Sequence, residues 1–89
     1  MSFRDDLMTE TKIKRDYFKE KKLPIFIEII KKQLESQAKE GYCSCSLAIS
    51  DVCKSELKNW EVNEIVQFFK HEEDVSVEKN SGSYYLFSW

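Results

Sequence analysis

Apolar residues are sparse along the first 22 positions. Phe3, Leu7, Ile13, Tyr17 and Phe18 stand among lysines, arginines and acids with only a loose period. Ser2 with Asp5 three residues later is a helix-start signal, since a serine oxygen accepts an amide hydrogen of the first turn. Residues 3–22 are therefore expected as one or two charged helices, with Thr9 and Thr11 as the place for a break, partly frayed or ordered only against a partner. From Pro24 the pattern sharpens. Proline suits a first helical turn, where its missing N–H costs nothing. Ile27, Ile30, Leu34 and Ala38 then follow at spacings of three and four, widened by Phe26 and Ile29 into one apolar stripe. Gly41 is a natural stop, because glycine enters the left-handed conformation freely. This predicts a helix over 24–40.

At Tyr42 the period changes to two. Cys43, Cys45, Leu47 and Ile49 fall on one side, and Ser44, Ser46 and Ala48 on the other, which predicts a half-buried strand over 42–49. Ser50 or Asp51 is expected to cap a short helix over 51–58. A further helix runs from Asn59 or Trp60 to about His71, with Val62, Ile65, Val66 and Phe69 inward. Residues 74–79 read as a strand with Val75 and Val77 inward. Asn80–Ser83 reads as a turn, and Tyr84–Trp89 as a last strand closing a hairpin. The pattern predicts an α+β fold: N-terminal helices packed on a small antiparallel sheet with a C-terminal β-hairpin, in winged-helix-like order.

Eighty-nine residues with 42% apolar positions support one small core. The expected organisation is a single domain over 1–89, with 1–22 as a charged helical arm and 23–89 as the compact core. A net charge of −2 gives no global attraction to nucleic acid or acidic lipid. The apolar run Leu23 to Ile30 contains Glu28 and falls far short of the roughly 20 residues a membrane span needs. The first ten residues lack the basic and apolar regions of a secretory signal. With three cysteines, this points to reduced thiols in a cytoplasm.

Cys43 and Cys45, with Cys53 and His71, invite a zinc reading. A structural zinc site is built from C-x₂₋₄-C pairs or such a pair plus two histidines, whereas here the spacing is C-x-C and the histidine is single. Leu47 and Ile49 share the cysteine face, so core packing is the preferred reading; neither a metal nor a cofactor is expected. His71 is read as a surface residue near a helix C-terminus. Glu61, Glu64, Glu72, Glu73 and Asp74 are read as a solvated face, since nothing local would push two carboxylate pKa values apart. Two glycines, Gly41 and Gly82, leave no phosphate loop. No catalytic grouping is found, and the expectation is that the chain is not an enzyme.

Charge is unevenly placed. Lys12, Lys14, Arg15, Lys19, Lys21 and Lys22 outweigh Asp16 and Glu20, while residues 56–78 hold seven acids against Lys58 and Lys70. Such asymmetry steers association with a charged partner or a second copy; an ordinary solvated helix explains it equally well. In the last strand Tyr85, Phe87 and Trp89 alternate with Tyr84, Leu86 and Ser88, so both faces carry apolar residues. Either the N-terminal helix or another molecule is expected to cover the second face. In the winged-helix order, residues 60–71 would be the recognition helix, yet Glu61, Glu64 and Glu72 outnumber Lys70 where phosphate contacts need cations.

Ala38–Gly41, the strand Cys43–Ile49 and the closing Tyr85-Leu86-Phe87-Ser88-Trp89 resemble a group of short proteins from tailed bacteriophages and other large DNA viruses. Those share a charged first helix, a helix ending in A-x-x-G, a cysteine- or serine-rich strand and a hairpin closing on Y-x-[IF]-x-W. This chain departs from them at Glu72-Glu73, where they often carry a glycine. The resemblance implies a viral accessory or virion-associated protein. The expected function is thus protein–protein binding to a host or virion protein, as a host-protein inhibitor or virion component, or to itself as a homodimer. Tyr84, Leu86 and the basic residues Lys12, Lys14, Arg15, Lys19, Lys21 and Lys22 are the candidate contacts. The alternative is a winged-helix-like nucleic-acid-binding regulator using the basic 12–22 arm, which the charge on 60–71 disfavours.

Overall fold

A computed structural model describes residues 2–80 and 82–89. Helix α1, Phe3–Tyr17, starts where Ser2 Oγ accepts the amide hydrogen of Asp5 at 3.3 Å. It runs unbroken through Thr9 and Thr11, against the expected break. Thr9 Oγ1 donates to the Asp5 carbonyl at 3.0 Å, so its hydroxyl is satisfied inside the helix. A five-residue π-helical turn, Phe18–Lys22, leads directly into α2, Leu23–Lys39. Pro24 lies in the first turn of α2. The helix ends as a Schellman motif: Gly41 has φ +96°, its N–H donates to Ala38, and the Tyr42 N–H donates to Gln37.

Strand β1, Ser44–Ala48, is shorter than expected, because Ile49 already starts α3, Ile49–Val52. The segment expected as a helix over 51–58 is instead this single turn followed by a loop. No side chain caps it; Ile49 is 1% exposed, and its burial draws the helix start forward into the core. Lys54, at φ +52°, ends the helical path. Helix α4, Asn59–His71, opens with the Glu61 carboxylate accepting the Lys58 N–H at 2.8 Å. It closes through Asp74 at φ +54°, a conformation that aspartate tolerates better than most residues. Strands β2, Ser76–Lys79, and β3, Tyr84–Ser88, complete the chain. Ser81, within the expected turn, lies outside the described residues.

The sheet order is β1-β3-β2, antiparallel throughout, so the C-terminal strand is central. Cys45, Leu47, Tyr85, Phe87 and Val77 face inward, against Phe26, Ile27, Ile30 and Leu34 of α2 and Ile65, Val66 and Phe69 of α4. Phe69 meets Phe87 edge-on at 5.4 Å, a favoured aromatic geometry. The result is the α+β architecture read from the sequence. The core also includes Phe18, which lies upstream of residue 23.

Candidate functional site

Helix α1 places none of its residues in the core. Its apolar side chains face solvent all the same: Phe3 is 76% exposed, and Leu7, Met8, Ile13 and Tyr17 are more than half exposed. At 100° per residue, Phe3, Leu7, Ile13 and Tyr17 lie within about 120° of one another, one side of the helix. Their spacing along the sequence is only loosely periodic, and counting their angles round the helix is the signal that groups them.

The arm is held to the body at its base. Phe18 is buried, with its ring 6.0 Å from Phe26 and 5.3 Å edge-on from Trp60. The Arg15 guanidinium lies 5.7 Å over the Trp60 ring, a cation–π contact. Lys19 stands 3.7 Å from Glu64 of α4. Trp60, read from sequence only as a helix start, is thus the main seat of the arm. The basic residues are divided by this arrangement. All six are exposed, but Arg15 and Lys19 also reach side chains of the body, on Trp60 and Glu64.

Tyr84 and Leu86 occupy the sheet face opposite the helices. Leu86 stands between Ser46 and Glu78 in register, and Tyr84 beside Ala48. By strand alternation this face also carries Ser44, Ser76 and Ser88, so the two apolar side chains lie in a mainly polar field. The structure does not bring them together with the exposed apolar face of α1.

Lys31 and His71 each have a partner on the surface. Lys31 pairs with Glu73 at 2.8 Å, and that hydrogen bond raises the lysine pKa against a smaller opposing effect of burial. His71 Nε2 lies 2.9 Å from Gln67 Oε1, one helical turn away. The cysteines sit at three depths: Cys43 exposed, Cys45 half-buried, Cys53 in the core. Burial raises the Cys45 thiol and pushes Cys53 up to about 11, so neither is a ready thiolate at neutral pH. Among the described residues, no group of three histidines, cysteines or acids is placed to hold a metal ion.

No protein-family model, curated protein or solved structure matches this chain. The surface is therefore read from its own chemistry. Among the described residues, no helix is long and apolar enough to cross a membrane. The exposed face of α1 is the largest departure from what a self-sufficient domain presents to water.

Proposed function

We propose that the protein is a non-enzymatic interaction module that docks through α1 onto another polypeptide. It would serve as an accessory protein of the viral kind it resembles, in the cytoplasm of a host cell. The observation that carries this reading is the apolar face of α1. Phe3, Leu7, Ile13 and Tyr17 line one side of a helix that buries nothing in its own core. Contact with a second protein surface would remove that area from water, the usual driving force of association. The nucleic-acid alternative draws support only from the exposed Lys12, Lys14, Lys21 and Lys22; Glu61 and Glu64 flank the arm on α4 with the wrong sign for phosphate.

The test is a pull-down with the tagged full chain from lysate of its native cell, split into nuclease-treated and untreated halves and repeated with Leu7→Asp/Ile13→Asp. Protein retained after nuclease treatment by the wild type and lost from the variant is the expected result. Capture that disappears with nuclease would transfer the arm to nucleic acid. Equal capture by wild type and variant would remove α1 from the interface.

A further inference from the structure

The order of residues along α1 is self-complementary about Glu10. Leu7 and Ile13 lie three residues to either side, and Phe3 and Tyr17 seven. The charges follow the same centre with opposite sign. Arg4 mirrors Asp16, Asp5 mirrors Arg15, and Asp6 mirrors Lys14. Two such helices laid antiparallel, with a two-fold axis at Glu10, bring Phe3 to Tyr17 and Leu7 to Ile13 of the other copy. The same register sets Asp6 of one copy near Lys14 of the other, both within about 40° of the line through Glu10, whereas Arg4, Asp5, Arg15 and Asp16 lie more than about 100° round the helix, away from the seam. Laid parallel, Asp6 would meet its own copy, as would Lys14. A two-fold interface requires this property, that the contact of position i with j is repeated as j with i.

We infer that the partner of α1 is a second copy of this chain, bound antiparallel along the arm. The inference rests on reading α1 as a protein-docking element and names its occupant. The geometry allows it. The four apolar residues are exposed on one side of α1, Lys58 and Trp60 of the body reach the arm beside Thr11, Lys14 and Arg15, and the molecule is 56 Å long against 25 Å and 24 Å in the other directions. In the antiparallel register the two bodies sit toward opposite ends of the paired arms. The spacing Phe3, Leu7, Glu10, Lys14, Tyr17 is also the alternation of four and three that suits a helix-to-helix seam. Glu10 and Lys14 are its charged positions, with Glu10 at the centre. Two carboxylates meet there on the axis, a contact that weakens the pair while penalising other partners.

Sedimentation equilibrium on the full chain, across a range of concentrations, tests this. A species of twice 10.6 kDa that dissociates on dilution is expected. Asp6→Lys should weaken it about tenfold, because two symmetry-related pairs change from attraction to repulsion. Lys14→Asp should do the same. The two changes combined in one chain should restore the wild-type constant, since the mirrored pair is then re-formed with its signs exchanged. Glu10→Gln should tighten the dimer by removing the repulsion on the axis. A monomer at all concentrations overturns self-pairing, and if the pull-down still captures a protein through Leu7 and Ile13 the docking reading survives with a different partner. A dimer that the combined variant does not restore, or that Glu10→Gln does not tighten, overturns the antiparallel register.

Discussion

At the scale of single residues, Phe18 joins the arm to the body. It is 2% exposed, packs on Phe26 and Trp60, and stands with Tyr17 between Asp16 and Lys19 in sequence. Truncation to alanine removes a full aromatic ring from a closed site. Phe18→Ala should therefore cost about 3–5 kcal/mol of unfolding free energy, read from a urea titration. A cost below 1 kcal/mol would mean that the arm base is not a fixed part of the core. The cysteines give a second residue-level prediction. Cys43 should react with a thiol reagent at once, Cys45 more slowly, and Cys53 only on unfolding, in line with their burial. The buried Cys53 thiol, raised from 9.0 to about 11, also predicts an alkaline effect. Between those values the unfolded chain loses the proton first and so binds fewer protons than the folded one. Stability thus falls as pH rises across this window. Comparing Cys53→Ala with wild type by urea titration at pH 8 and at pH 11 checks it: the variant should lose less stability between the two.

At the scale of elements, the π-helical turn decides how the arm meets the body. The buried residues of α2 recur at Phe26, Ile30 and Leu34, four apart, while Phe18 precedes Phe26 by eight. In an unbroken α-helix Phe26, Ile27, Ile30 and Leu34 would span about 100°, and Phe18 would lie about 80° outside the Phe26 edge of that face. A π turn accommodates one extra residue and takes back roughly that rotation. This is why the sequence read as loosely periodic through residue 22: the period is real on each side, and the phase shifts between them. Deleting the exposed Lys21 should let α1 and α2 join as one α-helix with Phe18 still facing Phe26. The variant should keep its helical circular dichroism and an unfolding midpoint no lower than the wild type. A loss beyond about 2 kcal/mol would show that contacts depend on the wide turn itself. Other elements were legible because their signals are local. The stripe from Ile27 to Leu34, the glycine stop at Gly41 and the face of Ile65, Val66 and Phe69 needed no tertiary information. The loop after Val52 did, because the burial of Ile49 moved the helix start forward and Lys54 closed it at a positive φ. The candidate contacts were legible only in part. Basic residues can be counted along a chain, but the seating of Arg15 on Trp60 and Lys19 near Glu64 depends on how α1 lies against α4.

At the scale of the whole molecule, the chain is longer than its size requires. A compact domain of this length has a radius of gyration of about 12 Å, and the observed value is 15.0 Å. The helical run from Phe3 to Lys39 accounts for the excess, since at 1.5 Å per residue it spans roughly 55 Å against a long axis of 56 Å. Its first stretch, Phe3–Tyr17, has no place in the core, which makes the arm and the body separable in energy. Residues 2–14 contribute no buried side chain, whereas Arg15 and Phe18 make the contacts at the base. A chain that begins at Arg15 should thus keep its unfolding free energy within about 1 kcal/mol of the full protein, the range for changes at exposed positions. Its radius of gyration by small-angle scattering should fall toward the compact value, and any self-association carried by α1 should vanish. The two readouts separate two roles for the arm. Lost association with unchanged stability assigns α1 to a partner. A sharp drop in stability would assign it to the fold, and the apolar face of Phe3, Leu7, Ile13 and Tyr17 would then need an explanation within the single chain.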